Sequence, residues 1–300
     1  MRPVAVGLVG AGPWGSGFHA PMLAAGPQTR LAGVWSRRPE RAREVAARFA
    51  VPAFADYDLL LDACEAVAFA VPPEVQVSMA VRAARAGRAL LLEKPLAPDL
   101  AGATALAEAV DAAGVPTQLM LTRRYRPQVR EFLDRARRFR ARGAQARHLT
   151  DELFSAAYAT PWRRRQGVLD DFGFHALDLL DAALGTVKDV MAVGDPHGYM
   201  ALTCVHEGEG AVSQLALCGS IGSPHGHHKT MELYGREGAL VLDFRELADD
   251  SAPTRENVRS EFAATVRSGV PHTVDVHHGL HLQRLLEQAR SQLRGVGDGS

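Results

Sequence analysis

Residues 4–15 read VAVGLVGAGPWG, and this stretch decides the fold of the chain. An apolar run of strand length leads directly into the pattern G-x-G-x-x-G, and a helical pattern begins at Pro13. In that setting Gly10 permits a tight turn, Gly12 lets the backbone approach a pyrophosphate, and Gly15 allows a helix to pack closely on a strand. The helix dipole and the N–H groups of the first turn would hold the anion. The sequence therefore predicts a dinucleotide site at this turn.

The first third of the chain repeats this alternation of strand and helix. Apolar runs predict strands at 4–9, 31–35, 66–71, 88–92 and 117–121. Helices are predicted between them at 13–25, 39–50, 73–86 and 98–113, each with a proline near its start, where the first turn tolerates one. Strands that alternate with helices form a parallel sheet. The expected fold class is therefore α/β, with an N-terminal Rossmann domain over residues 1–121.

The pattern of the sequence changes from about Thr122. Runs bounded by turn signals predict strands at 187–193, 199–206, 211–219, 230–235 and 239–242, with helices at 126–141, 168–184, 255–267 and 276–293. Several short strands in succession favour an antiparallel sheet. We expect residues 122–300 to form an α+β domain with an open, mainly antiparallel sheet, although the last helix could pack back on the first domain.

The composition argues against several classes of protein. A formal net charge of +0 gives no reason to expect a nucleic acid or an anionic membrane as partner. The three cysteines, Cys64, Cys204 and Cys218, lie far apart, which argues against a disulfide framework and a zinc site. No apolar run reaches about 18 residues, the length of a membrane-spanning helix, and the N-terminal run is too short for a signal peptide. We expect a soluble cytoplasmic protein that binds no metal.

The end of the second predicted strand bears on the choice of dinucleotide. An NAD site usually places Asp or Glu at this position, to bind the ribose hydroxyls. This chain has Ser36, Arg37 and Arg38 instead. A hydroxyl followed by two guanidinium groups suits a 2′-phosphate, which a carboxylate would repel. The sequence therefore favours NADP(H) over NAD(H), although both arginines could also be ordinary surface residues.

Two charged residues and a proline follow the fourth predicted strand. The run Ala89–Leu92 leads into Glu93, Lys94 and Pro95. Only three of the 34 Lys and Arg residues are lysine, so this chain uses arginine wherever positive charge alone is needed. A lysine can lose its proton when desolvated, which suits proton chemistry. Since ligands of open α/β sheets bind beyond the carboxyl ends of the strands, Lys94 is expected near the nicotinamide.

The second domain supplies an acidic segment with a histidine at 170–178. On an α-helix Asp171, His175 and Asp178 would share one face, and Gly173 would leave that surface bare for a flat ring. A histidine beside a carboxylate suits general acid/base catalysis. The alternative is that Asp170 and Asp171 only compensate the dipole of a helix start and that His175 is structural.

Taken together, these motifs resemble the Gfo/Idh/MocA oxidoreductases, the group of glucose-fructose oxidoreductase and inositol dehydrogenase. They occur in the order seen in that family: Gly10-x-Gly12-x-x-Gly15 with His19, Val71-Pro72-Pro73, Glu93-Lys94-Pro95, Arg123-Arg124-Tyr125-x-Pro127, Trp162-Arg163 and Asp171-x-Gly173-x-His175-x-x-Asp178. The resemblance covers nearly the whole chain. The combination of E-K-P with D-x-G-x-H is specific, whereas each motif alone is not.

The resemblance implies a set of site residues. Lys94 is expected to precede a cis proline and to form the catalytic group with Asp171 and His175. The expected cofactor-binding residues are Gly10, Gly12, Pro13, Trp14, Gly15, Ser36, Arg37, Arg38, Val71, Pro72, Glu93 and Lys94. The expected substrate-binding residues are Lys94, Tyr125, Trp162, Asp171 and His175, although Tyr125 and Trp162 could equally be core residues. The free face of the second sheet is expected to form a homodimer or homotetramer.

Three features depart from the family pattern or stand outside it. The glycine-rich run that usually precedes the D-x-G-x-H helix is reduced to Gln166-Gly167, and Gln76 replaces a histidine often found after the third strand. Both changes put the identity of the substrate in doubt more than the chemistry. A histidine cluster at 224–228 lacks the supporting Cys or carboxylate pattern of a metal site.

The function expected from these observations is hydride transfer between C4 of the nicotinamide and a carbinol or carbonyl carbon of a sugar, cyclitol or related polar metabolite. His175 would exchange the proton on the substrate oxygen, Lys94 would stabilise charge on the same oxygen, and Asp171 would orient the histidine or bind a neighbouring hydroxyl. Two alternatives are a redox-neutral, NAD-dependent glycosidase and a non-catalytic dinucleotide-binding sensor of the same fold. Intact Lys94, Asp171 and His175 count against the sensor.

Overall fold

Each of two units in the chain is built around one sheet. The computed structural model describes residues 2–151, 167–208, 210–221, 227–248 and 251–297, with side chains to residue 293. The first unit comprises Met1–Tyr125 and Ser251–His281, and the second comprises Arg126–Asp250 and Leu282–Ser300. The segment Ser251–His281 therefore belongs to the first unit, whereas the sequence-based division left it in the second.

The first unit contains a five-stranded parallel sheet in the order β2-β1-β3-β4-β5. Its strands are β1 (Val4–Val9), β2 (Thr29–Trp35), β3 (Ala66–Phe69), β4 (Ala89–Leu92) and β5 (Thr117–Leu119). The strand order reverses between β1 and β3, and ligands of open α/β sheets bind at such a switch point, beyond the carboxyl ends of the strands. The predicted α/β class is confirmed.

A short extended segment continues the sheet beyond β2. Ala53 forms a parallel bridge with Val34, the Val34 N–H donates to Pro52 O at 3.0 Å, and the Phe54 N–H donates to Val34 O at 2.9 Å. If this bridge is counted as a strand, the order becomes 3-2-1-4-5-6, the order common to dinucleotide-binding sheets. The sequence did not reveal the segment, because it is too short to show a period of two.

Helices connect the parallel strands of the first unit. They are α1 (Ala20–Ala24), α2 (Pro39–Arg48), α3 (Tyr57–Asp62), α4 (Pro73–Arg85) and α5 (Leu100–Ala113). Prolines open α2 and α4, as predicted. The side chain of Asp99 caps α5 by accepting the Gly102 N–H. The helix α3 was not predicted.

A helix from late in the chain completes the core of the first unit. This helix, α8 (Ser251–Ser268), places Val258 and Phe262, both 0% exposed, in the same apolar cluster as Val6 and Leu8 of β1. The last helix begins in the same unit, since α9 (Val276–Gly297) is anchored where the Val276 N–H donates to Thr117 Oγ1 at 3.0 Å. The first unit is therefore discontinuous in sequence.

The second unit contains an open six-stranded sheet in the order β11-β10-β6-β9-β8-β7. Its strands are β6 (Gly143–Leu149), β7 (Val187–Gly194), β8 (Tyr199–His206), β9 (Val212–Cys218), β10 (His228–Gly235) and β11 (Gly238–Asp243). All pairs are antiparallel except β6 with β9. The predicted open, mainly antiparallel sheet is confirmed, but the sequence missed β6, which lies in its interior.

One face of this sheet is covered, and the other is open. The buried residues alternate along β8 and β9, and the covered face includes Leu202 and Leu215. The α-helices that the structure describes in this unit are α6 (Pro127–Phe139), α7 (Phe174–Leu184) and the later part of α9. The exposed large apolar side chains of the strands are Met191, Val193, Tyr199, Val212, Tyr234 and Val241, and the strand register puts them on the opposite, open face. In the described ranges no helix combines the length and apolarity needed to cross a membrane.

Candidate active site

The glycine-rich turn after β1 has the geometry that a dinucleotide requires. Gly10 has φ +112°, and a Cβ there would lie 2.3 Å from the carbonyl oxygen of Ala70. A Cβ on Gly15 would lie 2.4 Å from the carbonyl oxygen of Gly10, so both positions need glycine. A Cβ on Gly12, by contrast, would meet nothing within 4 Å. The space in front of Gly12 is therefore open to a phosphate, and the turn fits a dinucleotide.

The helix after this turn starts at Pro13 and includes a π-helical turn at Gly15–His19. The Ala20 N–H donates to Gly15 O, five residues earlier, which closes the wider ring. Such turns are frequent at functional sites. In this helix the turn points Phe18 and His19 into the protein, while Trp14 at the helix start stays 44% exposed.

The loops after β2 and β3 contain five of the predicted cofactor-binding residues. Ser36 is half-buried and its hydroxyl accepts the Arg38 N–H at 3.3 Å, while Arg37 and Arg38 are exposed. After β3, Val71 and Pro72 lie beside the glycine-rich turn, since a Cβ on Gly10 would also meet Cγ1 of Val71 at 3.0 Å. These residues therefore line the carboxyl edge of the parallel sheet, where the sequence predicted them.

The loop after β4 is held by Gln76 of α4. The Gln76 amide donates to Glu93 O at 2.8 Å and to Leu96 O at 3.0 Å, and its carbonyl accepts the Glu93 N–H at 2.8 Å. The side chain of Gln76 is 0% exposed. The Lys94–Pro95 peptide bond is cis, as the resemblance implied. Sequence reasoning treated Gln76 only as a departure from the family, whereas the structure makes it the clamp of this loop.

The Glu93 carboxylate faces the helix that follows the glycine-rich turn. One oxygen, Oε1, accepts the Trp14 indole N–H at 2.5 Å and lies 2.7 Å from Nε2 of His19. The other oxygen, Oε2, accepts the backbone N–H of Lys94 at 3.2 Å. The sequence left the role of Glu93 open between the nicotinamide ribose and Lys94. Its partners in the structure include Trp14 and His19, and no spacing rule could have connected residues 74 or more positions apart.

The acidic segment of the second unit is not a regular α-helix. Leu169–Gly173 forms a π-helical turn, and the α-helix α7 begins only at Phe174. The expectation of a regular α-helix through this segment is therefore wrong at Asp171, which lies in the π-helical turn. The side chains of Asp171, His175 and Asp178 are nevertheless buried, at 7%, 8% and 0% exposed.

Two contacts hold this π-helical turn within the second unit. Asp170 forms an ion pair with Arg290 of α9. Burial alone would lower the pKa of the Arg290 guanidinium, but the charge and hydrogen bond of Asp170, together with Glu287, raise that pKa above its usual value. On the other side, the ring of Phe172 stacks on His148 of β6 with centroids 4.0 Å apart. Asp170 is therefore an ion-pair partner, a role that its sequence position alone did not indicate.

Gly173 also differs from the expectation. A Cβ at this position would meet Leu169 at 3.2 Å and both Leu217 and Leu286 at 3.5 Å. Gly173 thus allows the turn to pack against leucine side chains and does not leave a bare surface for a ring. Its absence of a side chain is explained by packing in the second unit.

The remaining predicted residues divide into three cases. Tyr125 is 1% exposed, its hydroxyl donates to Leu119 O at 2.8 Å, and it belongs to the apolar core cluster of the first unit. Trp162 lies outside the described residues, as does the 224–226 part of the histidine cluster. His227 forms a 2.7 Å contact with Asp151, and the described residues contain no group of three or more potential metal ligands.

Comparison with known proteins agrees with this geometry. Residues 4–120 match the model of the GFO_IDH_MocA oxidoreductase family, described as having an NAD-binding Rossmann fold. UDP-N-acetylglucosamine 3-dehydrogenase of Acidithiobacillus ferrooxidans is 29% identical over 81% of this chain and 75% of its own length. Inositol 2-dehydrogenase of Rhizobium meliloti is 24% identical over 80% and 76%. Residues 4–120 therefore carry the NAD-binding Rossmann fold of the Gfo/Idh/MocA family.

The solved structures of other proteins show the same fold over the whole chain. A crystal structure of the Acidithiobacillus ferrooxidans dehydrogenase superposes with a TM-score of 0.84 at 24% identity and covers 98% of this chain and 99% of its own. A levoglucosan dehydrogenase in complex with NADH gives a TM-score of 0.84 at 19% identity, with 98% of each chain covered. The family match and the named dehydrogenases among its relatives make the chain an NAD(P)-dependent oxidoreductase.

Proposed function

We propose that the chain is a Gfo/Idh/MocA oxidoreductase that interconverts an alcohol and a carbonyl on a sugar, a cyclitol or a related polar metabolite, with NADP(H) favoured over NAD(H). The observation that carries the proposal is that the glycine-rich turn and Lys94 lie beyond the carboxyl ends of β1 and β4, in one parallel sheet. Ligands of such sheets bind at this edge.

Each proposed site residue has a distinct task. The dinucleotide, when bound, supplies or accepts the hydride. Lys94 hydrogen-bonds the reacting oxygen of the substrate and stabilises negative charge that develops on it. His175 exchanges the proton on that oxygen, and Asp171 orients the imidazole or binds a neighbouring hydroxyl. The deep burial of Asp171 and His175 supports these roles, because polar groups kept from water interact more strongly.

The preference for NADP(H) rests on the loop after β2. Arg37 and Arg38 are exposed there, and the Ser36 hydroxyl already accepts the Arg38 N–H. Guanidinium groups bind phosphate strongly and in two-pronged geometry, whereas the ribose hydroxyls of NAD would need a carboxylate acceptor. Related proteins include a scyllo-inositol 2-dehydrogenase (NAD(+)) and a scyllo-inositol 2-dehydrogenase (NADP(+)), both of Bacillus subtilis, so either dinucleotide is compatible with the family.

The substrate class rests on the names of relatives. These act on a nucleotide sugar, on inositols and on levoglucosan, which all present ring hydroxyl groups. Expected substrates therefore carry several hydroxyls, one of which is oxidised.

The assembly proposed is a homodimer or homotetramer formed through the open face of the second sheet. Six large apolar side chains lie exposed on that face, among them Met191 at 57%, Tyr199 at 54% and Val241 at 54%. An apolar sheet face of this kind marks an interaction surface more often than a surface meant for water.

The experiment that tests the proposed function is a panel of sugars, nucleotide sugars and cyclitols, with the matching keto compounds, assayed by the absorbance of reduced nicotinamide with NADP(H) and NAD(H). Substrate-dependent change with NADP(H), at kcat/KM at least about tenfold above that with NAD(H), is expected. A clear preference for NAD(H) would contradict the role given to Arg37 and Arg38. Tight retention of dinucleotide with no net redox change would point instead to the redox-neutral alternative.

A further inference from the structure

The Glu93 carboxylate connects two parts of the site that are distant in sequence. Its oxygen Oε1 is shared between the Trp14 indole N–H and Nε2 of His19, and its oxygen Oε2 accepts the N–H of Lys94. Trp14 belongs to the G-x-G-x-x-G pattern itself. A single side chain thus joins the dinucleotide turn to the residue proposed to contact the substrate oxygen.

His19 acts toward this carboxylate as a fixed donor. Its side chain is 0% exposed, and its Nδ1 is buried without a hydrogen-bond partner. A carboxylate only accepts, so the proton of this contact lies on Nε2 of His19. The Nε2–H group of His19 is therefore the donor in its contact with Glu93.

Trp14 is held on one side and open on the other. Its ring stacks on Phe18 with centroids 4.4 Å apart and planes inclined by 15°. Phe18 is in turn covered by the Arg255 guanidinium at 5.0 Å, and the same guanidinium donates to Gly17 O at 3.1 Å. The indole is nevertheless 44% exposed, next to the open space in front of Gly12. A ligand in the turn would contact this exposed part of the indole.

We propose that Trp14 and His19 are positioning residues that, through Oε1 of Glu93, couple occupation of the dinucleotide turn to the placement of Lys94. The proposal rests on the proposed function only in giving Lys94 a part in the reaction. Gln76 fixes the backbone of this loop through its hydrogen bonds to the N–H and C=O groups of Glu93. The Glu93 side chain contacts both Trp14 and the Lys94 N–H, so it is the part of the loop that Trp14 can influence. A ligand that contacts the indole changes the hydrogen bonds to the Glu93 carboxylate and thereby changes the position of Lys94.

A spectroscopic measurement tests the hydrogen bond between Trp14 and Glu93 without any substrate. The chain has three tryptophans, so the full-length protein labelled with ¹⁵N-tryptophan gives up to three indole N–H signals, and Trp14→Phe identifies that of Trp14. A carboxylate acceptor shifts the signal of the Trp14 indole proton downfield. We therefore expect this signal to move upfield in Glu93→Ala. We also expect it to move when NADPH is added to the wild-type protein. Glu93→Gln, which keeps the shape of the side chain, should move it less in the same direction.

The matched control for this measurement is Glu65→Gln. The Glu65 carboxylate accepts the Ala5 N–H at 2.9 Å at the opposite, amino edge of the same sheet, so this variant should leave the Trp14 signal in place. An indole signal that is identical in the wild-type protein, Glu93→Ala and Glu93→Gln would overturn the proposal, whatever the enzyme does with substrates.

Kinetics then separate positioning from a merely structural role. Trp14→Phe keeps the ring on Phe18 and His19→Leu removes the other donor, and each should lower kcat roughly tenfold or more. In His19→Leu the Kd for the dinucleotide should change less than about threefold. His19→Gln, which restores an N–H at the end of the side chain, should recover most of kcat. If His19→Gln is as slow as His19→Leu, or if weaker dinucleotide binding accounts for the whole loss, the coupling does not exist. A wild-type protein that shows no hydride transfer would refute the proposed function. The indole measurement would still show whether Glu93 links Trp14 to the Lys94 loop.

Discussion

Lys94 is one of only three lysines in a chain that otherwise uses arginine for positive charge. Its backbone is fixed at several points, by the Gln76 clamp on Glu93 and by the carboxylate of Glu93 on its own N–H. The backbone of a lysine held in this way on a short loop loses little freedom when a substrate binds. This supports placing Lys94 at the reacting oxygen.

Replacing Lys94 by Met tests that role. We expect kcat/KM to fall by about a hundredfold or more, because an electrostatic donor to a developing negative charge is lost, while the Kd for the dinucleotide changes little. Steady-state rates and dinucleotide titration measure the two quantities. Lys188→Met is the matched control, since Lys188 is an exposed lysine on β7. Normal turnover in Lys94→Met would remove Lys94 from the mechanism.

The loop after β2 gives a second prediction at the level of single residues. Removing both guanidinium groups, in the double variant Arg37→Ala with Arg38→Ala, should raise KM for NADPH roughly tenfold to a hundredfold, because charge-assisted hydrogen bonds to the 2′-phosphate are lost. KM for NADH should change less than about threefold. The double variant Arg41→Ala with Arg43→Ala, on the next helix, controls for net charge. Equal effects on both dinucleotides would argue against a phosphate contact.

At the scale of elements, two glycines of the same turn should have different roles, since Gly10 is needed for folding and Gly12 for dinucleotide binding. Gly10→Ala should destabilise the protein by several kcal/mol, on the order of 1–3 from backbone strain alone, because a Cβ would meet the Ala70 carbonyl. Gly12→Ala should leave the thermal midpoint nearly unchanged, since its Cβ meets nothing, yet weaken dinucleotide binding at least about tenfold by occupying the space of the phosphate. Thermal unfolding and dinucleotide titration of both variants measure this. Unweakened binding by a folded Gly12→Ala protein would contradict the position assigned to the pyrophosphate.

The π-helical turn of the second unit depends on a buried ion pair. Asp170 and Arg290 have side-chain exposures of 4% and 20%. Arg290→Met removes this cation from the buried carboxylate and should lower the free energy of unfolding by about 3 kcal/mol. The matched control is Arg41→Met, which breaks an exposed pair with Glu44 and should cost less than about 0.5 kcal/mol. Denaturant titration measures the free energy of unfolding of both variants. Equal decreases would show that the Asp170–Arg290 ion pair stabilises the protein no more than an exposed pair does.

These elements also show how far the sequence alone could go. Local signals in the sequence predicted the glycine-rich turn, the first five strands and the Lys94 loop. One such signal is G-x-G-x-x-G between a strand and a helix, and another is a run of apolar residues. The strand β6 was missed because GAQARHL alternates small and polar residues and lacks the β-branched residues of a typical strand. Its burial becomes clear only when β9 and β10 pair with it.

The candidate site was less predictable than the fold. The residue types at 93, 94, 171 and 175 could be read from motifs, but the partners of Glu93 depend on contacts between distant segments. The π-helical turn at Leu169–Gly173 was also hidden, because an α-helical period of 3.6 was assumed across it. Tertiary packing, such as that of Gly173 against Leu217, selected the wider turn.

At the scale of the whole molecule, the open sheet face predicts self-association. Val212→Glu places a charge on β9, in the interior of that face, and should shift the protein from an oligomer to a monomer. Light scattering coupled to size-exclusion chromatography measures the mass. Val270→Glu is the matched control, because Val270 is an exposed valine of the first unit. A monomeric wild-type protein would refute the proposed assembly.

The return of α8 to the first unit has a consequence for biosynthesis. Val258 and Phe262 are core residues of that unit, yet they are made only after the whole second sheet. A nascent chain that has released its first 125 residues still exposes the apolar surface that these side chains later cover, and contacts this distant in sequence form slowly. The core of this unit therefore closes only after α8 has been synthesised, and a nascent chain should gain full affinity for the dinucleotide only then.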